Sequence, residues 1–457
     1  MKVSKFGGTS LADAAQIQKV CDIIAADPKR RLVVVSAPGK RHKDDIKVTD
    51  MMISCAHSFL STGTAQTELD AVIGRYADIQ RDLELPGSIV ERIREDLTGR
   101  LSMKIDHPDH EARFIDLLKA AGEDNCAKLV TEALKMRGMD AHYVSPGDAG
   151  MLLSDEYGNA QVLPQSYDNL RSLRNAPGVT VFPGFFGYTL SGVLTTFPRG
   201  GSDITGSILA AAVEAETYEN FTDVDSVFAV DPRIIPSAKP ISELTYREMR
   251  ELSYAGFGVF HDEALIPIVK AGIPICIKNT NHPEAPGTMV LPERNHTPGE
   301  VAGIASDAGF CTLFVSKYMM NREVGFGRRL LQILENEGIS YEHVPSGIDN
   351  TSVIIRESSF SGNVEQRVLK AIASELEADY VSVERGMALI MIVGEGLRYA
   401  IGAAARATRA LAEAGVNIEM LNQGSSEISM MFGVKAGDRK DAVKAFYSEF
   451  FETGDRL

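Results

Sequence analysis

Three short segments carry the residue types that handle an anionic, phosphorylated ligand. In Lys5-Phe6-Gly7-Gly8-Thr9-Ser10, two glycines follow an apolar run. They let backbone N–H groups approach phosphate oxygens, and Lys5 supplies a point charge for a transferring phosphoryl group. The lysine precedes the glycines, so this is not a Walker A loop, and a Gly-Gly pair after a strand is also an ordinary turn. The second segment, Arg199-Gly200-Gly201-Ser202-Asp203, opens a small-residue helix expected over Gly206–Val213. Gly-Gly-Ser at a helix start makes an anion cradle, and Arg199 can grip a carboxylate with two parallel hydrogen bonds. Asp203 suits a substrate ammonium or magnesium. A capping Ser or Asp beside an exposed Arg would explain single members of this group but not the whole of it. The third segment runs Phe221-Thr222-Asp223-Val224-Asp225-Ser226-Val227-Phe228 and is followed by Asp231-Pro232-Arg233. An apolar run broken by Thr-Asp at a strand end suits a nucleotide pocket, because α/β sheets bind ligands at strand C-termini. Thr49 and Glu123 read on their own as a cap or surface residue.

These segments need a sheet to converge. Leu32–Ser36, Ala141–Val144 and Val179–Phe182 read as buried parallel strands, and Asn125–Met136 reads as a helix stopped by Gly138. Such alternation means a sheet with helices on both faces. Residues 62–110 read as charged and mostly helical, with His107 and His110 in a solvated polar loop.

Beyond a Pro/Gly/Asn/His-rich break at 283–298 the pattern changes. Cys311–Ser316, Ser340–Val344, Ser352–Arg356 and Tyr380–Val383 read as strands, and Gly327–Glu337 and Val364–Leu376 as helices. That is the ferredoxin-like βαββαβ order. It recurs through Leu389–Val393, Ile401–Ala414, Asn417–Leu421, Ile428–Val434 and a helix over Arg439–Phe450, but the second unit ends before its last strand. The apolar segment Val301–Ser306 is the expected donor of that strand.

Composition narrows the class. The chain has 457 residues, enough for two or three domains, and its 44% hydrophobic and 24% charged content is that of a soluble globular protein. No apolar run is long enough to span a bilayer and the N-terminus has no signal-peptide pattern, so no membrane association is expected. Five scattered cysteines, with no Cys-x-x-Cys, fit a reducing cytoplasm. A net charge of −15 opposes nucleic acid as a partner, so cations facing an anionic ligand must be placed locally.

Taken in order, Lys5–Ser10, Arg199–Asp203, Thr222–Val227 with Asp231–Arg233, and Lys278-Asn279-Thr280 with Pro283–Thr288 resemble the aspartate kinase family of the amino-acid kinase superfamily. Glu323–Gly327 and Asn422–Ile428 resemble its paired regulatory ACT domains. The resemblance implies an α/β, carbamate-kinase-like three-layer fold over residues 1–297 and two ferredoxin-like ACT domains over 308–384 and 385–457, the second completed by strand 300–306. It implies transfer of the ATP γ-phosphate to the β-carboxylate of L-aspartate, giving 4-phospho-L-aspartate, the first step of lysine, threonine and methionine (diaminopimelate) biosynthesis. Lys5 and Asp203 would be the catalytic residues, Lys5 stabilising the transferring phosphate, cradled by Gly7, Gly8 and Thr9. Thr49, Glu123, Arg199, Gly200, Gly201, Ser202 and Asp203 would hold aspartate, with Ser202 also near the phosphates. Thr222, Asp223, Phe228, Asp231 and Arg233 would line the ATP site, and Mg²⁺ would arrive on ATP rather than in a protein metal site.

Two departures concern the nucleotide. Gly258 stands where the family often has a lysine, three residues before His261, and Lys40 or Lys43 is the candidate replacement. Phe228 stands where a Tyr is common. In the first ACT unit, Met320, Phe326 and Gly327 at a strand-to-helix turn, with Ser340, Tyr341 and Glu342 on the next strand, match the family's regulatory pocket. The implied effector is lysine, with threonine as runner-up, acting on a homo-oligomer assembled through the ACT units. The rival readings are a glutamate-type amino-acid kinase and a non-catalytic amino-acid sensor. A fused homoserine dehydrogenase is not expected, since no dinucleotide fingerprint follows the tail.

Overall fold

The structure is a computed structural model that describes residues 1–258, 260 and 262–452. His261 lies outside the described residues, as does the end of the segment 385–457. The chain divides into two compact units, one of residues 1–227, 240–250 and 258–294 and the other of residues 228–239, 251–257 and 295–457.

The first unit is built on an eight-stranded sheet. Its strands are β1 (Lys2–Phe6), β2 (Arg30–Val35), β3 (Ala141–Tyr143), β4 (Val179–Pro183), β7 (Thr217–Thr222), β8 (Glu243–Thr245), β9 (Ile275–Asn279) and β10 (Thr288–Leu291), in the order β3-β4-β2-β1-β7-β9-β10-β8. All neighbours are parallel except β9 and β10. A separate hairpin pairs β5 (Phe186–Tyr188) with β6 (Leu194–Thr196). The helices are α1 (Ala14–Ala26), α2 (Val48–Thr62), α3 (Gln66–Asp82), α4 (Ser88–Leu101), α5 (His110–Met136), α6 (Gln165–Leu170), α7 (Gly201–Ala212), α8 (Tyr246–Tyr254, whose last residues fall in the second unit) and α9 (Leu265–Ala271).

Strand alternation decides what each face of β1 does. Phe6 stacks on Phe221 of β7 at 4.8 Å, and both join the core beneath α1–α5. Lys5, one residue earlier, points to the opposite face, where α7 packs. The result is a helix–sheet–helix sandwich with the strand C-termini opening at one end. No helix among the described residues is long and apolar enough to cross a membrane.

The second unit carries one five-stranded antiparallel sheet. Its strands are β11 (Gly303–Ser316), β12 (Asn350–Arg356), β13 (Tyr380–Val393), β14 (Met420–Asn422) and β15 (Ser429–Lys435), ordered β12-β11-β13-β15-β14. Its helices are α10 (Phe326–Asn336), α11 (Gly362–Glu375), α12 (Ala403–Glu413) and α13 (Arg439–Tyr447). Two ferredoxin-like units share β11 and β13. The C-terminal half of β11 pairs with the start of β13, and Gly303–Ser306 pairs with Ile390–Val393, filling the strand position that the second unit's own sequence lacks. Cys311, Leu313, Val353 and Ile355 pack with α10 and α11 in one core, and Phe432 packs on Phe446 of α13 at 5.0 Å.

Two departures from the sequence reading concern the second unit's composition and its sheet. Ser340–Val344 forms no strand; it touches β12 through a single bridge at His343, and Ser346, just past the segment, makes another. Pro345 between them has no N–H to donate, so the ladder cannot propagate. Residues 228–239 and 251–257 cluster with the second unit although they fall inside the segment 1–297. Long-range hydrogen bonds tie them there: Ile304 N–H donates to the Ala229 carbonyl at 2.7 Å, and Lys239 N–H to the Tyr447 hydroxyl at 3.0 Å.

Candidate active site

A cavity of about 840 Å³ opens in the first unit at the C-terminal ends of β1, β2 and β7. Lys5, Gly7, Gly8, Thr9, Thr49, Glu123, Arg199, Gly200, Gly201, Ser202, Asp203, Thr222 and Asp223 all line it. Residues that no local pattern marked line it too: Gly39, Lys47, Lys119 and Phe185. Five cations (Lys5, Lys40, Lys47, Lys119, Arg199) face four carboxylates (Asp50, Glu123, Asp203, Asp223) there. On a chain of net charge −15 this is a local cation excess, as an anionic ligand requires.

Lys5 is buried, and its ammonium is fixed between Asp203 Oδ1 at 2.5 Å and Asn220 Oδ1 at 3.3 Å. Asn220 in turn donates to Asp203 Oδ1 at 3.2 Å, so the three side chains from β1, α7 and β7 hold one another. The loop after β1 lies against the loop after β2: Gly39 N–H donates to the Gly8 carbonyl at 2.8 Å. A Cβ on Gly39 would sit 2.5 Å from the Gly8 carbonyl carbon, so this approach requires glycine.

Gly200 caps α7 with φ of 84°, a left-handed conformation that a side chain rarely adopts. Gly200, Gly201 and Ser202 at this cap line the cavity beside Arg199, whose exposed guanidinium pairs with no carboxylate among the described residues. The helix begins at Gly201, five residues earlier than the small-residue pattern indicated.

Glu123 lies mid-way along α5, and its carboxyl is buried. Burial pushes its pKa up to about 8, against the opposing pull of the Ala37 N–H and the Lys119 ammonium. Its Oε2 has no hydrogen-bond partner among the described residues. Asp116, two turns before it, accepts the N–H groups of Gly158 and Thr196, each at 2.8 Å, and anchors the β5–β6 hairpin to α5.

Gly258 and Lys40 both line the cavity, which puts the candidate replacement in the same space as the missing lysine. Phe228, Asp231 and Arg233 fall in the second unit, where Arg233 is held on Asp231 by a two-pronged contact of 2.9–3.1 Å. The regulatory candidates also lie there. Met320 and Phe326 place their side chains in the core of α10 and α11, leaving only backbone for a ligand. Gly327 is in the first turn of α10 and Ser340 and Tyr341 are exposed. Glu342 accepts the Tyr254 hydroxyl and lies 3.7 Å from Arg356, so it is already engaged.

The family model described as amino acid kinase family matches residues 1–279, and an ACT domain model matches residues 390–450. Aspartokinase 3 of Bacillus subtilis (strain 168) is 56% identical over 451 residues, covering 99% of both chains. The chain belongs to the aspartokinase family. Among solved structures, Clostridium acetobutylicum aspartate kinase superposes with a TM-score of 0.86 at 35% identity, covering 98% of this chain and 100% of that one. E. coli aspartokinase III in complex with aspartate and ADP (R-state) matches with a TM-score of 0.81 at 27% identity, covering 99% of this chain and 100% of that one. The same enzyme in complex with lysine and aspartate (T-state) gives a TM-score of 0.78 at 26% identity over 99% of both chains. The aspartokinase architecture thus accounts for both units, including the shared ACT sheet.

Proposed function

We propose that this chain is an ATP-dependent aspartate kinase, forming 4-phospho-L-aspartate at the cavity of the first unit. The observation that carries the reading is the convergence of Lys5 from β1, Glu123 from α5, and Arg199 and Asp203 from the start of α7 around one cationic cleft. An amino acid with two carboxylates fits that set. Arg199 takes the α-carboxylate through two parallel bonds, Glu123 takes the ammonium, and the β-carboxylate is left facing the phosphate loop.

A carboxylate is already a nucleophile at neutral pH, so no general base is required. A β-carboxylate oxygen bonds to the γ-phosphorus while the bond to the ADP oxygen breaks. Catalysis is then positioning and charge neutralisation. Lys5, fixed in advance by Asp203 and Asn220, faces the transferring group, and the N–H groups of the Gly7–Thr9 turn and of the α7 start hold phosphate oxygens. Among the described residues no cluster of three or more His, Cys, Asp or Glu side chains forms a metal cage. Asp203 and Asp223, which line the cavity, would touch Mg²⁺ carried on the ATP phosphates, where it would offset phosphate charge.

ATP as donor accords with the ADP held by the E. coli relative, and lysine as feedback effector with the lysine held by the same enzyme. We place the effector at the α10 turn with Glu342, threonine being the alternative, in a cytoplasmic homo-oligomer joined through the ACT sheets. The test is ADP release coupled to NADH oxidation with ATP-Mg²⁺ and, in turn, L-aspartate, L-glutamate and N-acetyl-L-aspartate. Aspartate alone should support turnover. Equal turnover with glutamate would move the chain to another acceptor, and equal turnover with N-acetylaspartate would remove Glu123 from ammonium recognition.

A further inference from the structure

A second cavity of the first unit, about 450 Å³, lies between α4, α5 and the edge strand β3, and shares no lining residue with the kinase cleft. Its volume is in the range of small-molecule sites. Its deepest polar group is Asn125, which is 1% exposed. The Asn125 amide N–H donates to Asp96 Oδ2 at 2.9 Å, which fixes the amide's orientation, because a flipped amide would set oxygen against oxygen. Its Oδ1 is buried without a hydrogen-bond partner among the described residues. Buried acceptors of this kind are usually satisfied in folded proteins, and Asn125 lines the cavity, so a molecule bound there would supply the missing donor.

The charge of the lining says what else that molecule carries. Helical spacing puts Lys128 and Lys135 on the same stripe of α5 as Asn125. Lys128 is neutralised by Asp124 at 3.0 Å and Lys135 by Glu132 at 3.1 Å. Arg92 of α4 pairs with no carboxylate among the described residues, leaving one uncompensated positive charge on the rim. Ile89 and Ile93 give the α4 wall an apolar surface.

We infer that this cavity is a ligand site for a small organic carboxylate that also bears a hydroxyl or ammonium donor, a hydroxy acid or a zwitterionic amino acid. The carboxylate sits on Arg92, the donor on Asn125 Oδ1, and the apolar body on Ile89 and Ile93. The site is separate from the kinase cleft and from the ACT units, so it does not depend on the proposed reaction.

Equilibrium dialysis of the full chain carrying Arg199→Ala, which weakens the kinase cleft for amino acids without adding one that competes, tests it with four labelled probes: L-lactate, L-serine, L-leucine and acetate. At least one of the three donor-bearing acids should bind, and about tenfold more tightly than acetate, which lacks the donor. Arg92→Gln should weaken that binding about tenfold, and Asn125→Leu should abolish the preference over acetate. Arg92 is exposed and outside the kinase cleft, so unchanged kinase turnover in Arg92→Gln verifies its fold. Binding by none of the probes, binding unaffected by Arg92→Gln, or acetate binding equal to the best acid would each overturn the assignment.

Discussion

Glu123 makes the kinase cleft sensitive to pH in a direction the structure specifies. With its carboxyl pKa pushed up to about 8 by burial, the empty cleft holds it mostly protonated at neutral pH. At pH 7, one unit below, only about a tenth is ionised, and ionising it costs about 1.4 kcal/mol. A substrate ammonium needs the carboxylate, so aspartate binding drives the proton off. The sign follows: KM for aspartate falls as pH rises, approaching about tenfold per unit well below pH 8 and levelling above it. Glu123→Gln keeps the shape and removes the titration. The variant should show a KM for aspartate that is flat from pH 6.5 to 8.5. At the upper end that KM should exceed wild type by about 10- to 100-fold, the loss of a charge-assisted hydrogen bond of roughly 1.5–3 kcal/mol. Steady-state kinetics at saturating ATP across that range reads both quantities. A pH slope in Glu123→Gln equal to that of wild type would refute the reasoning, because the titrating group would then lie elsewhere.

Lys5→Ala should lower kcat by roughly two to three orders of magnitude, as for loss of one preorganised charge-stabilising donor, while circular dichroism shows an unchanged fold; near-normal turnover removes Lys5 from the mechanism. Arg199→Lys keeps the charge but loses the two-pronged grip, so KM for aspartate should rise clearly and KM for ATP less, and the reverse order would assign Arg199 to the nucleotide. Gly39→Ala forces a Cβ to within 2.5 Å of the Gly8 carbonyl carbon and should lower kcat/KM for ATP by about tenfold or more; Gly74→Ala, in the open on α3, is the control and should leave it unchanged. Lysine should inhibit the wild type sigmoidally and Glu342→Ala much less. Undiminished inhibition of that variant would place the effector elsewhere.

Much of this site was legible because its chemistry is local in sequence. Lys5–Thr9, Arg199–Asp203 and Thr222–Asp223 each sit at the end of a strand or the start of a helix, where type and spacing speak directly. Glu123 was not legible that way. Its burial comes from α5 packing beneath the sheet, and the buried acids Asp116, Glu123 and Asp124 break the apolar period of that helix. The same break made α5 read as starting at Asn125 rather than His110. Lys47 and Lys119 had no pattern around them, since only the fold brings them to the cleft. In the second unit, β-branched runs marked β12, β13 and β15, but Ser340–Val344 lost its ladder to Pro345. Asp231 and Arg233 resemble nucleotide contacts in sequence, and in the structure Arg233 donates to Asp231 within the second unit.

The identity of the phosphorylated group tests the central claim most directly. With ATP-Mg²⁺, L-aspartate and hydroxylamine, an acyl phosphate on the side chain is trapped as the β-hydroxamate of aspartate. The account predicts that this β-hydroxamate accumulates in step with ADP and is lost in Arg199→Ala and Lys5→Ala. ADP release without any aspartyl hydroxamate, or trapping at the α-carboxylate instead, would contradict it.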